Sequence, residues 1–297
     1  MRIASLNMQN LRLLPDEAGG HLHGARDRDE PPAPQHDDAD RRLTAELLAA
    51  TQADVVALQE VFDAESLDFF HDRYLAPRAG PYRHRLCLPG NDGRGLDVAL
   101  MARRRWDVAR SHAALTATDL GLSAPGGMPP DQPVFRRDCL EAQFGALTLF
   151  VVHFKAPAPD PARAWALRRL EAEAVLRLLP KGRDALWLVI GDLNEPREGG
   201  ARAIAPLEAA GVDLGLRLPE HARWTYYEPH IGAHHRPDAL IASPALAARC
   251  PDAVPRVLHR GLGHEAGPGQ GARLEGVGHH RPHASDHAAL VVDLPGL

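Results

Sequence analysis

Residues 185–194 read Ala-Leu-Trp-Leu-Val-Ile-Gly-Asp-Leu-Asn. An unbroken apolar run of this length, stopped by glycine, reads as a strand buried on both faces. It delivers Asp192 and Asn194 just past its end. Other strand-like runs finish in the same way. Ile3–Leu6 leads to Asn7, Val55–Leu58 leads to Gln59 and Glu60, and Leu149–Val152 leads to His153. Every strand must end in something, so one polar ending means little. Four endings in Asn, Glu, His and Asp/Asn form a pattern at a sheet rim, where ligand sites of α/β folds lie.

Outward from that stretch, strands and helices alternate. Pro161–Leu179 reads as the longest helix, with Pro161 in its first turn and Leu167, Leu170 and Val175 on its apolar face. Phe135–Phe144 and Ala146–His153 read as a hairpin turning at Gly145. Asp97–Ala102, Asp238–Ala242 and Ala288–Val292 read as further strands, and Trp106–His112 is expected to pair with Asp97–Ala102. Asp40–Ala50 and Ser66–Leu75 have helical spacing. Residues 14–40 hold Gly19-Gly20, Pro31-Pro32, Pro34 and many Asp and Arg. They are expected to form a flexible loop insertion that buries little. Pro255–His283 is expected to be loop. No linker separates two regimes of composition, so residues 1–297 read as one α/β domain.

The chain carries 34 Lys+Arg against 39 Asp+Glu, a net charge of −5. That argues against a protein that simply coats nucleic acid, whose affinity would rest on phosphate contacts. A nuclease stays open, because a bound cation supplies positive charge locally. Cys87, Cys139 and Cys250 form no CxxC pair, which fits a reducing compartment without structural zinc. No secretory leader pattern precedes Ile3, and no apolar stretch approaches the ~20 residues of a membrane span. The expectation is a cytoplasmic protein with no membrane and no evident protein partner.

Ser-Leu-Asn-Met-Gln-Asn (5–10), Asp-Val-Val-Ala-Leu-Gln-Glu-Val (54–61), Val-Val-His-Phe-Lys-Ala (151–156), Gly-Asp-Leu-Asn-Glu-Pro (191–196), Arg-Pro-Asp-Ala-Leu-Ile-Ala-Ser (236–243) and Ser-Asp-His (285–287) occur in this order. Together they resemble the endonuclease/exonuclease/phosphatase superfamily of deoxyribonuclease-like, metal-dependent phosphodiesterases. Each segment alone is weak; the combination is specific and covers nearly the whole chain. The resemblance implies a four-layer α/β sandwich, two packed mixed β-sheets flanked by helices. It also implies a hydrolase that attacks phosphorus with water.

Carried over residue by residue, the resemblance makes Glu60 the principal Mg²⁺ ligand, with Asn7 beside it and Asp286 close by; Mn²⁺ is the other candidate ion. Asp192 and Asn194 would orient the attacking water and hold the phosphate. His287 would be the general base, oriented by Asp238, although related enzymes leave the base open between Asp192 and His287. His153 would stabilise the pentacovalent phosphate or assist the leaving group. Asp97 would orient His153 or line the cleft. Apart from the resemblance, Arg136 or Arg137 could hold a substrate phosphate, since arginine suits bidentate contact, against the alternative of a surface arginine.

These residue types suit the chemistry. A divalent cation neutralises charge developing on the phosphate. A neutral imidazole accepts a proton near pH 7, and a carboxylate on its other nitrogen fixes the tautomer. The substrate expected is a phosphodiester, and the His-Phe-Lys at 153–155, similar to certain bacterial nucleases, tilts the reading toward nucleic acid. The alternatives are a phosphatase or lipid phosphodiesterase of the same fold, and a non-catalytic binding protein. Pro237 departs from the apolar residue usual in relatives. The late histidines His230, His234, His235, His279, His280 and His283 are assigned no metal.

Overall fold

The computed structural model describes residues 1–17, 19–27, 30, 33–195 and 201–297. The strands of its two large sheets are β1 Arg2–Leu11, β2 Val55–Val61, β3 His84–Cys87, β4 Asp97–Ala102, β5 Val108–Ser111, β6 Cys139–Phe144, β7 Leu147–His153, β8 Leu186–Asp192, β9 Val212–Asp213, β10 Asp238–Ala242, β11 Arg256–Leu258 and β12 Ala289–Asp293. The main helices are α1 Pro34–Thr51, α2 Ala64–Phe70 and α3 Pro161–Leu178.

Period-two alternation explains the layering. In β2, Val55 and Ala57 point toward the second sheet, where they meet Leu149, Val151, Leu188 and Ile190. Val56 and Leu58 point the other way, onto Leu43, Leu47 and Leu48 of α1. In the second sheet Phe150, Val152 and Val189 face Leu167, Leu170 and Val175 of α3. Strands apolar on both faces therefore give three apolar layers and a four-layer α/β sandwich.

The first sheet runs in the order β11-β12-β1-β2-β4-β3 and the second β9-β10-β8-β7-β6-β5. Each is mixed, with one parallel pair at its centre. β1 and β2 are parallel, with α1 in the connection. β7 and β8 are parallel, with α3 in the connection. The other neighbours are antiparallel.

Three expectations fail. Trp106–His112 does not pair with Asp97–Ala102; Val108–Ser111 crosses to the second sheet and pairs with β6. Strand character in a sequence says nothing about partner, and the vacant edge of β4 is taken by His84–Cys87. Residues 14–40 are not all loop. Helix α1 begins at Pro34, Leu13–Leu14 pairs with His21–Leu22, and Leu22, Ala25, Arg26, Asp37 and Asp40 are buried. Its acids are buried because partners reach them: Arg281 lies 2.8 Å from Asp37 and also pairs with Asp40, and Arg26 lies 3.4 Å from Asp37. Residues 255–283 likewise hold the edge strand β11.

Candidate active site

The central strands of both sheets end at one rim, and the backbone there is irregular in the first sheet. The β1–β2 register shifts between Asn7 and Leu11, with Gln9 and Asn10 at φ 44° and 60°. The β2–β4 register shifts between Gln59 and Val61, with Glu60 at φ 59°. Bulges re-aim side chains, and positive φ at non-glycine residues is held only where the surroundings enforce it. Arg41 of α1 braces the bend in β1. Its buried guanidinium donates to the carbonyls of Met8, Gln9, His23 and Gly24 at 2.6–2.9 Å.

The result is a convergence of polar groups. Asn7 Nδ2 donates to Glu60 Oε1 at 3.3 Å and to Asp192 Oδ2 at 3.2 Å. Asn10 N donates to Glu60 Oε2. Asp192 Oδ1 accepts from Asn194 N at 2.9 Å, and Asn194, at φ 52°, donates from Nδ2 to Phe154 O. His153 Nε2 lies 3.5 Å and His287 Nε2 3.9 Å from Asp192 Oδ2. His287 Nδ1 is 2.8 Å from Asp238 Oδ2, which also accepts from Thr225 Oγ1 at 2.6 Å. Asn7, Glu60, Arg137, His153, Asp192, Asn194, Asp286 and His287 line one cleft of about 430 Å³.

Burial raises the pKa of Asp286 to about 7, with Asp27 and Glu60 adding to the shift. Burial raises Asp192 to about 6, with Asp238 and Glu60 adding and His287 opposing. At His287 burial disfavours the charge, yet Asp238 and Asp286 outweigh it and raise the pKa well above 6.5. His153 is held neutral by burial and by Arg137. Carboxylates crowded in this way suit a dication, which relieves their repulsion. Glu60 and Asp286 supply the hard carboxylate oxygens that magnesium takes alongside water. The Asn7 amide faces Glu60 and Asp192 through Nδ2, its Oδ1 accepting from Gln9 N at 3.0 Å, and adds an oxygen only with the amide turned over. Among the described residues no group of three or more His, Cys, Asp or Glu side chains is arranged as a metal cage.

Two candidates sit differently from expectation. Asp97 is buried but does not line the cleft; it lies against Gly90, where a Cβ would come within 2.5 Å of its Oδ1. No hydrogen bond links it to His153 among the described residues. Arg137 is not a surface arginine. It is buried, donates to Phe154 O at 3.0 Å and pairs with Asp92 at 3.1 Å while bordering the cleft.

Several contributors escaped the sequence reading. Gln9 Oε1 accepts from Asp286 N at 3.0 Å and lies 2.9 Å from His283 Nε2, so His283 helps to position a site carboxylate. Ser285 Oγ donates to Asn7 O and accepts from His287 N. The Tyr226 ring is 5.1 Å from the His287 ring. Tyr226 opens a three-residue strand, Tyr226–Glu228, that pairs with Ala233–His235 outside the two large sheets, and Thr225 directly precedes it; a strand this short leaves no periodicity to mark them.

The fold and this rim define a class, the phosphoester-cleaving α/β sandwich hydrolases. Residues 4–287 match the endonuclease/exonuclease/phosphatase family, and the chain belongs to that family. Among curated proteins no sequence match is found. Solved structures are similar over almost the full length. A family protein from Leptotrichia buccalis is 13% identical, covering 99% of each chain at a TM-score of 0.62. An AP endonuclease from Archaeoglobus fulgidus is 15% identical, again covering 99% of each, at 0.59. D. rerio TDP2 with a single-strand DNA product is 18% identical, covering 98% of this chain and 97% of that one, at 0.57. No helix among the described residues is long and apolar enough to cross a membrane.

Proposed function

We propose that the protein is a Mg²⁺- or Mn²⁺-dependent phosphodiesterase acting on nucleic acid, in the cytoplasm. The observation that carries this reading is the His287–Asp238 hydrogen bond, with Nε2 of the same imidazole facing Asp192 in the cleft. Asp238 fixes the imidazole through Nδ1, so Nε2 is the nitrogen that exchanges a proton with water. A water held by Asp192 Oδ2 is within reach of Nε2. Asn194 holds a non-bridging phosphate oxygen, and neutral His153 donates to the phosphoryl group or the leaving oxygen.

Glu60, Asn7 and Asp286 would hold the cation. When bound there, it would polarise the phosphoryl oxygen and offset the carboxylate charge that keeps His287 protonated. The single-strand DNA seen with D. rerio TDP2 supports a nucleic-acid substrate by analogy of fold.

The test is hydrolysis of bis-p-nitrophenyl phosphate and of single- and double-stranded DNA with Mg²⁺ or Mn²⁺, then with EDTA. Turnover should require the metal and fall ~10²–10⁴-fold in His287→Ala. Undiminished turnover in that variant, or turnover in EDTA, would overturn the mechanism.

A further inference from the structure

The cleft wall formed by Ala156 and Pro157 continues into a second cavity. That cavity, about 390 Å³, is lined from the same segment by Lys155, Ala158 and Pro159, and by Arg136 and Arg163. Residues 156–159 thus form a ridge with the catalytic cleft on one side and a cationic hollow on the other. Arg136 and Arg137 are sequence neighbours. Arg137 borders the cleft, and Arg136 borders the hollow.

The hollow is built rather than incidental. Glu171 is fully buried beneath it and accepts from the backbone N–H of Arg136 at 3.1 Å and of Lys155 at 2.8 Å. Arg168 Nη1 donates to Lys155 O at 2.9 Å. Lys155 Nζ donates to Ala156 O at 2.8 Å and also to Ala158 O, folding the ridge back on itself. The one acid in the lining, Asp160, is engaged in capping α3 through Ala162 N and Arg163 N. Among the described residues no carboxylate pairs with the guanidinium of Arg136 or Arg163. The cations crowd one another: Lys155 is depressed by burial and by Arg137, Arg94 and Arg136.

The cavity that adjoins the cleft through Tyr226, Glu228 and Asp286 has the opposite character, with Asp27, Glu30 and Glu265 in its lining. A polyanion leaving the cleft meets favourable charge over the ridge and unfavourable charge at the other cavity.

We propose that Arg136, Lys155 and Arg163 form a second phosphate subsite, which takes a backbone phosphate of the strand whose scissile diester lies in the cleft. The proposal rests on the nucleic-acid reading above. It makes the ridge a saddle that a single strand crosses, with Arg137 on one flank and Arg136 on the other.

The test is the affinity of a labelled single-stranded oligothymidylate of about eight nucleotides, by fluorescence anisotropy across a salt series. It is run in EDTA, where turnover plays no part, and repeated with Mg²⁺ in the His287→Ala background. Arg136→Gln/Arg163→Gln should bind at least ~10-fold more weakly, with the slope of log K against log salt reduced by about 1. Arg136→Lys/Arg163→Lys should keep the slope, and so should Arg183→Gln, which removes an exposed charge at the opposite end of β8. An unchanged slope in the Gln pair, or an equal loss in Arg183→Gln, would overturn the subsite. Equal affinity for a dinucleotide and the octamer, with the Arg136 dependence kept, would assign the hollow to a free anion instead. Strand binding through Arg136 without any diester hydrolysis would keep the subsite and sink the catalytic reading; hydrolysis without length-dependent binding would do the reverse.

Discussion

The two halves of the sandwich are alike in plan and unlike in chemistry. Reading the second sheet from its β5 edge and the first from its β11 edge, the strands correspond in order, each with a central parallel pair joined through a long helix. Asn7 ends the regular pairing of β1 before its register shift and His153 closes β7, while Glu60 and Asp192 lie at the end of the second strand of each pair. Asp97 and Asp238 open the antiparallel strand beyond. Yet Asp238 hydrogen-bonds the His287 imidazole in the cleft, whereas Asp97 is buried against Gly90. The long helices differ too. α1 sends in a cation, Arg41, which satisfies four carbonyls of an irregular backbone. α3 sends in a carboxylate, Glu171, which satisfies two N–H groups. Buried charge here serves irregular backbone, and its sign follows which backbone groups the bend leaves unpaired.

The corresponding aspartates allow the sharpest test. Asp238→Asn should lower turnover about 10³–10⁴-fold through the wrong imidazole tautomer, while Asp97→Asn should cost less than about tenfold, since a single misplaced support is worth far less than the base. Steady-state kinetics on one diester decides it, and equal losses would make both aspartates catalytic. For the helix props, Arg41→Met should cost at least ~3 kcal/mol in urea unfolding, because four buried carbonyls lose their donor. A cost below ~1 kcal/mol would mean that water replaces the guanidinium.

Glu171 gives a pH signature. Burial raises its carboxyl from 4.5 to about 7, so the native state binds the proton more tightly than the unfolded chain. Its contribution is therefore present below the unfolded value and lost as pH rises through the folded one. Relative to wild type, Glu171→Gln should gain ~3 kcal/mol between pH 5 and pH 8, apart from a constant cost for the lost acceptor. A pH-independent difference would break the contrast with Arg41. The smallest effect concerns the metal. Mg²⁺ at about ten times its Kd should stabilise wild type by ~1.4 kcal/mol, and Glu60→Gln should lose most of that shift in thermal unfolding.

Much of this architecture was legible in residue pattern. β4 and β10 lie where their apolar runs placed them, and the polar strand endings all reach one rim. Arg41 and Glu171 were not legible, because helical periodicity reads a charged residue as solvent-facing. Only the bends they serve reveal why they point inward. Asp37 falls within the stretch expected as loop and Asp40 at its border with a helix, and nothing local marks either as buried because their partner Arg281 lies some 240 residues away in sequence. Thr225 and Tyr226 carry no periodic signal, and the pairing of β5 depended on which sheet edge was free.

The closing strand of the first sheet has a consequence for synthesis. β12 lies between β11 and β1, and Asp286 and His287 immediately precede it. A nascent chain emerging from the ribosome carries Glu60 and Asp192 long before it carries the imidazole or the strand that seals β1. Such a chain lacks the Asp286 carboxylate and the His287 imidazole of the cleft. On the mechanism proposed above, turnover is withheld until His287 and β12 have been made, so a prematurely stopped product would be inert.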